Sequence, residues 1–167
     1  VSHSSVEIKE NFEPSEKVSV AGRVMSRRIQ GKASFAELQD SEGKIQLYFN
    51  RDNICKNDDK SLYNEVYKKL LDIGDIIGVK GILFKTKVGE KTVQVEEFQI
   101  LSKSIRPIPI PKTDSDGNIY DEFKDPEQRY RQRYVDLILN PDVKKTFIKR
   151  TKITNSIREF FNAKGYL

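Results

Sequence analysis

The sequence predicts a mainly β fold: a five-stranded barrel with a helix between strands three and four, followed by a linker and C-terminal α-helices. Three observations carry this. Short runs near the start alternate apolar and polar residues and are separated by tight turns. A run at helical spacing follows the third of them, and two more strands come after it. A proline-rich stretch then leads into two segments that open like capped helices.

Residues 4–12, SSVEIKENF, read as a short helix. Ser4 or Ser5 caps it, Val6, Ile8 and Phe12 form its apolar side, and Pro14 ends it. Residues 18–29 read as strand one, with Val18, Val20, Gly22 and Val24 on one face and Arg23 on the other. Gly22 in mid-strand suggests a bend or bulge where a small barrel coils. QGK turns into strand two, ASFAELQ, and SEG turns into strand three, KIQLYFN. There Ile45, Leu47 and Phe49 alternate with Lys44, Gln46 and Tyr48.

Residues 59–71 bring Leu62, Val66, Leu70, Tyr63 and Tyr67 to helical spacing. LDIGDIIGVKGILFKT is strand four, and its near-continuous apolar run points to burial on both sides. After the KVGE turn, strand five is KTVQVEEFQILSK. Its parity changes between Val93, Val95 and Phe98, Ile100, and a bulge at Glu96-Glu97 reconciles them. Three meandering strands, a helix and two more strands is the order of the OB-fold, and it occupies residues 1–104.

Residues 105–125 carry three of the six prolines and read as a linker, extended first and then a loop. Residues 126–167 hold two helices. Asp125 caps the first, with Pro126 and Glu127 in its first turn; Asn140, Pro141 and Asp142 repeat that start. The second runs to a Gly165 C-cap, roughly 35 Å at 1.5 Å per residue. Its apolar side, Val143, Phe147, Ile153, Ile157 and Phe161, requires a second domain or another subunit to cover it.

Composition narrows the function. With 37% hydrophobic residues the chain can build a core. Its longest apolar runs are too short to span a bilayer, and no charged-then-apolar leader opens it, so no membrane is expected as a partner. A single cysteine, Cys55, reads as a small residue near a loop and excludes a disulfide framework and a cysteine-cluster zinc site. With a single histidine, His3, no Ser-His-Asp or Cys-His relay can form, and no catalytic or metal-ligating residue is assigned. A net charge of +5 permits a polyanionic partner without requiring one.

OB-folds bind oligomers on the face of strands two and three and with the loops joining strands one to two and four to five. Here that face carries Phe35, Gln39, Gln46 and Tyr48, with Arg23 beside them. The first loop carries Arg27, Arg28 and Lys32, and the second Lys85 and Lys87. An exposed ring offers an unpaired base a stacking platform, amides read base edges, and Arg or Lys hold phosphates. Each residue also has an ordinary reading. Phe35 is a core ring if the strand's parity is the opposite one, Arg27, Arg28 and Lys32 form a solvated turn, and Glu97 is a bulge residue. The arginines of RYRQRY, at 129, 131 and 133, form a helix face paired with Asp136.

The stretches GRVMSRRIQGKASFAELQD, GDIIGVKGILFKTKVGE, LSKSIRPIPIP and DPEQRYRQRYVDLI resemble the class II lysyl-tRNA synthetases of bacterial type. The resemblance covers nearly the whole chain. It implies a barrel that binds the anticodon loop of lysine tRNA. Phe35 would stack on an anticodon base, and Arg23, Arg28 and Gln46 would contact the bases or their backbone. The strand-five acid Glu97, with Glu96 as the alternative, would read the central uridine. Arg27, Lys32, Lys85 and Lys87 remain RNA backbone contacts. The family's full-length enzyme is a cytoplasmic homodimer that uses ATP and magnesium to activate lysine and transfer it to the tRNA 3′ end. The chain stops at KGYL, where the family's motif 1 begins, so a fragment without catalytic residues or a cofactor of its own is expected. Two other readings stand beside this one: a stand-alone OB-fold binder of single strands, and a dimerisation fragment with an inert barrel.

Overall fold

A computed structural model describes residues 1–56, 58–116, 119–120 and 122–166. The chain divides into two units, Val1–Pro107 and Ile108–Leu167.

The first unit is a closed barrel of five strands in the order β1-β2-β3-β5-β4. These are β1 (Lys17–Gln30), β2 (Ala33–Gln39), β3 (Lys44–Asn50), β4 (Ile76–Lys85) and β5 (Lys91–Ser102). All neighbouring pairs are antiparallel except β3 and β5, which run parallel. Alternation decides the interior. Val18, Val20, Val24, Ala36, Leu38, Ile45, Leu47, Phe49, Ile77, Val79, Leu83, Val93 and Val95 form a sealed core, each larger side chain contributing about 1.5–3 kcal/mol by burial.

Tight coiling accounts for two glycines. A Cβ on Gly22 would meet the Gln39 carbonyl oxygen at 2.4 Å, and one on Gly81 would meet that of Gln94 at 2.1 Å. Gly22 therefore marks a close strand crossing, while the register slip in β1 falls two to three residues later, between Val24 and Ser26. That slip lets both Val24 and Met25 turn inward. In β5 the slip lies where Lys80 faces Glu97 and Gly81 faces Val95, which leaves Glu96 as the extra residue.

Strand four departs from expectation. It starts at Ile76, and only alternate residues are fully buried; Ile76, Ile82 and Phe84 are half-buried on the outer wall. Its apolar run reflects an outer face covered in part by neighbouring side chains, including the Tyr48 ring, whose centroid is 5.7 Å from that of Phe84.

The expected first helix is α1 (Ser5–Glu10), capped by Ser4 in a capping box with Glu7. It is fastened to the β2–β3 turn by Asp40. That carboxylate accepts from Ser5 N at 2.6 Å, Ser5 Oγ at 2.8 Å and Gly43 N at 2.7 Å. A short α2 (Arg51–Ile54), not legible in the sequence, follows β3, and Cys55 is buried at its end. The helix between strands three and four covers Leu62–Leu70 and is a π-helix. Tyr63 and Tyr67 are its buried side chains, Leu70 is exposed, and Leu71 is buried just past its end. The Tyr63 and Tyr67 rings stack at 5.2 Å, and Tyr67 lies 4.3 Å from Phe49.

In the second unit, β6 (Lys112–Thr113) and β7 (Ile119–Tyr120) pair within the stretch expected as linker. Gly117 and Asn118 lie outside the described residues. The first expected helix is split at Gln132 into α3 (Pro126–Arg131) and α4 (Arg133–Leu139), with Asp125 capping α3 through Gln128 N at 2.9 Å. Asp136 is buried and explains much of this sequence. It accepts from Arg129 Nε at 2.9 Å, from Arg133, and from Asn140 Nδ2 at 2.6 Å. Asn140 precedes α5 (Pro141–Ala163) in the cap position, but its side chain is committed to Asp136 and does not cap. Gly165, at φ 79°, follows α5 in the left-handed conformation.

Asp75 holds the last turn before β4. Its carboxylate is fully buried and accepts from Asp72 N at 2.8 Å, Ser104 N at 2.7 Å and Lys103 Nζ at 2.5 Å. Burial acts to raise its pKa, but these donors outweigh it and hold the group below the usual 3.8. A depressed folded-state pKa gives stability that is full above the unfolded value and is lost as pH falls through the folded one. Asp75→Asn should cost about 1–3 kcal/mol, because it weakens the buried charge-assisted bonds from Asp72 N and Ser104 N, while Lys103 keeps Asp72 at 2.8 Å. Urea denaturation at neutral pH measures this. The same titration should show wild-type stability declining below about pH 4 and the variant losing less over that range.

Candidate nucleic-acid interface

Alternation in β2 turns Ser34, Ala36 and Leu38 inward, so Phe35, Glu37 and Gln39 stand on the outer wall. Phe35 is half-buried there, with its ring 5.1 Å from that of Tyr48 on β3. Phe35, Tyr48 and Phe84 thus form a row of rings across the barrel's outside. The core-ring reading of Phe35 is excluded by this placement.

Beside Phe35 lies an open groove of about 240 Å³. Its polar lining includes Arg28, Gln46, Glu37, Lys44, Lys9 and Glu90. Arg28 is the cross-strand partner of Phe35, and Gln46 is that of Glu37, so strand register alone brings four of these together. Lys44 pairs with Glu37 at 2.7 Å, with both side chains largely exposed, so this pair contributes little to stability. The groove offers an apolar ring, an amide that both donates and accepts, two carboxylates that accept, and three cations. This set suits a flat heterocycle carrying N–H and C=O groups next to a phosphate.

The other expected site residues are dispersed. Arg23 lines a different groove with Gly22, Gln39 and Asp40, and its Nη1 donates to the Gly74 carbonyl at 2.6 Å. Arg27 turns toward the π-helix, where Nη1 donates to the Tyr67 carbonyl at 2.5 Å and the guanidinium lies 5.7 Å from that ring's centre. Lys85 sits over the Phe12 ring at 5.6 Å. Lys32 and Lys87 are exposed in the two loops.

Glu97 is not in the Phe35 groove. It lies on the β4–β5 wall with Ser19, Gly78 and Phe98, and pairs with Lys80 at 3.1 Å. The hydrogen bond from Lys80 holds its carboxyl below the usual range. Glu96, the bulge residue, is half-buried. The acid that the structure brings to the groove is Glu90, which closes the KVGE turn. Its signal was present in the sequence: it is the carboxylate of the strand four-to-five loop, one of the two loops an OB-fold uses for ligands. Glu37 and Lys44 were legible as outward residues at the spacing of Phe35 and Gln46. Lys9, on α1, had no such signal.

Fold and groove define a nucleic-acid-binding barrel, and the chain belongs to the OB-fold nucleic acid binding domain family, which residues 18–101 match. Residues 125–167 match the family of class II tRNA synthetases (D, K and N). More particularly, the chain is similar over nearly all its length to lysine–tRNA ligases. That of Christiangramia forsetii is 65% identical over 99% of this chain and 29% of its own length. Those of Porphyromonas gingivalis and Azobacteroides pseudotrichonymphae are each 58% identical, over 98% and 100% of this chain and 29% and 34% of their own lengths. The chain therefore spans about a third of these relatives' lengths.

Arg27 and Arg28, which the sequence assigned to the first loop but the structure places near the end of β1, should separate in a stability assay. Arg27→Ala removes a part-buried hydrogen bond and a ring contact and should cost about 1–2 kcal/mol. Arg28→Ala, on the exposed wall, should stay within about 0.5 kcal/mol of wild type. Paired urea melts test this, and a larger loss for Arg28→Ala would contradict the placement.

Proposed function

We propose that this chain is the anticodon-binding part of a lysine–tRNA ligase and that its ligand is the uridine-rich anticodon loop of lysine tRNA. The observation that carries this is the meeting of Phe35, Arg28, Gln46 and Glu90 around one groove. Uracil presents one N–H donor between two carbonyl acceptors. Glu90 can accept from that donor, and the Gln46 amide can donate to a carbonyl, while the base lies on Phe35. Arg28 and Lys44 meet the phosphates, with Lys32 and Lys87 extending the contact along the loops. In this reading Glu90 takes the base-reading part expected of Glu97, and Arg23, Arg27 and Lys85 support the barrel.

The names and the identity of the relatives support the wider reading. The whole enzyme would activate lysine with ATP and transfer it to the 3′ end of the tRNA, as a cytoplasmic homodimer. Among the described residues no group of three His, Cys, Asp or Glu side chains is placed to hold a metal ion. ATP and magnesium would act in the remaining two-thirds of such a ligase, and no chemical step is routed through this chain. The exposed apolar side of α5, with Ile153, Ile157 and Phe161, supports a subunit contact.

Binding of an RNA stem–loop with three successive loop uridines, compared with a scrambled loop of equal length, tests the proposal. The uridine loop should bind at least about tenfold tighter, given about 1–3 kcal/mol of discrimination for each base read by paired hydrogen bonds. Equal affinities would support a general single-strand binder instead. Phe35→Ala should lose about 1–3 kcal/mol of binding and keep its thermal midpoint. Glu90→Gln should narrow the preference for uridine with little change in folding.

A further inference from the structure

The β1–β2 loop, which carries Lys32 and is entered through Arg28, is anchored from below at two successive carbonyls. The Gly31 carbonyl accepts from the Tyr63 hydroxyl at 3.3 Å, and the Lys32 carbonyl accepts from Arg51 N at 2.9 Å. Because the Tyr63 hydroxyl donates to Gly31, it is free to accept from Ser34 Oγ, 2.6 Å away. Tyr63 and Ser34 are both fully buried. Ser34 precedes Phe35, and Phe35 is the cross-strand partner of Arg28. One buried hydroxyl thus ties the loop tip to the strand that carries the stacking ring. Gly31, at φ 61°, holds the tip in a conformation that few other residues adopt readily.

We propose that Tyr63 is a positioning residue for RNA binding: its hydroxyl fixes the β1–β2 loop so that Arg28 and Lys32 face the sugar–phosphate backbone of a base stacked on Phe35. This rests on the RNA-binding reading above. The π-helix is the device that delivers the hydroxyl. Stacking of Tyr63 on Tyr67 at 13° between ring planes aligns the two side chains beneath the loop. Arg27, engaged with the Tyr67 carbonyl, fastens the loop's stem to the same helix. An untethered loop would keep its charges but present them over many orientations, so phosphate contacts would be lost to loop entropy while stacking persists.

The test uses the full 167-residue chain, the uridine stem–loop and a series of salt concentrations. Tyr63→Phe keeps the ring but leaves Ser34 Oγ without its partner. The double variant Ser34→Ala/Tyr63→Phe removes both groups and so preserves stability better. Both variants should bind roughly fivefold more weakly, with the slope of log affinity against log salt reduced by about 1. Phe35→Ala should weaken binding while retaining the wild-type slope. Wild-type affinity and slope in both tyrosine variants, with only a lower melting temperature, would make Tyr63 an ordinary core residue and overturn the proposal. No binding by the wild-type chain would overturn the RNA reading itself, a result the salt series distinguishes from the first.

Discussion

A closed barrel of five strands has room inside for little more than one side chain from every second position. That steric limit governs the rest of the molecule. It forces Ala36, Leu38, Ile45, Leu47 and Phe49 inward, and by the same parity it puts Phe35, Glu37, Gln46 and Tyr48 outside. The groove is therefore a by-product of closure. The strand pairing that seals the core also sets Arg28 opposite Phe35 and Gln46 opposite Glu37. Closure is expensive in sterics as well. Gly22 and Gly81 sit where a neighbouring carbonyl oxygen would lie within 2.4 Å or less of any Cβ, so side chains there would force the strands apart.

What was legible in the sequence follows from this limit. Strands two and three could be read almost residue by residue, because one face is core and the other is wall. The bulge in strand five was legible because a one-residue slip changes the parity of everything after it. Side chains that depend on tertiary neighbours were not legible. Arg27 and Arg28 are adjacent and chemically identical, yet one turns to the Tyr67 carbonyl and the other to the groove. Spacing to the following stretch favoured Glu97, but the hairpin returns Glu90, not Glu97, to the Phe35 wall. Asn140 had the sequence of a helix cap and was taken instead by a buried carboxylate one turn earlier, which offers a stronger, charge-assisted bond.

The helix between strands three and four illustrates the same division. Its apolar spacing announced a helix, and Tyr63 and Tyr67 did prove to be core residues. The wider π turn could not be inferred from spacing; it accompanies a packing in which Tyr67, stacked on Tyr63, meets Phe49 and Phe98. That packing leaves Leu70, which the α-helical pattern assigned to the apolar side, more than half exposed.

The charge pattern of the groove argues for reading bases over merely gripping phosphates. A binder indifferent to sequence needs rings and cations, and carboxylates in its path would repel the backbone. Here Glu37 and Glu90 share one small groove with Lys9, Arg28 and Lys44. Acids so placed weaken attraction to any polyanion. Glu37 is already met by Lys44, but Glu90 would be matched by a base that carries a donor, and a base without one at that point would leave a desolvated carboxylate unpaired. Discrimination then rests on the cost of the wrong base. The cations of the groove and those of the two loops, Lys32 and Lys87, would supply a salt-dependent attraction common to all RNA. In the proposed reading the Phe35 ring would hold any base, and Glu90 with Gln46 would reject most of them.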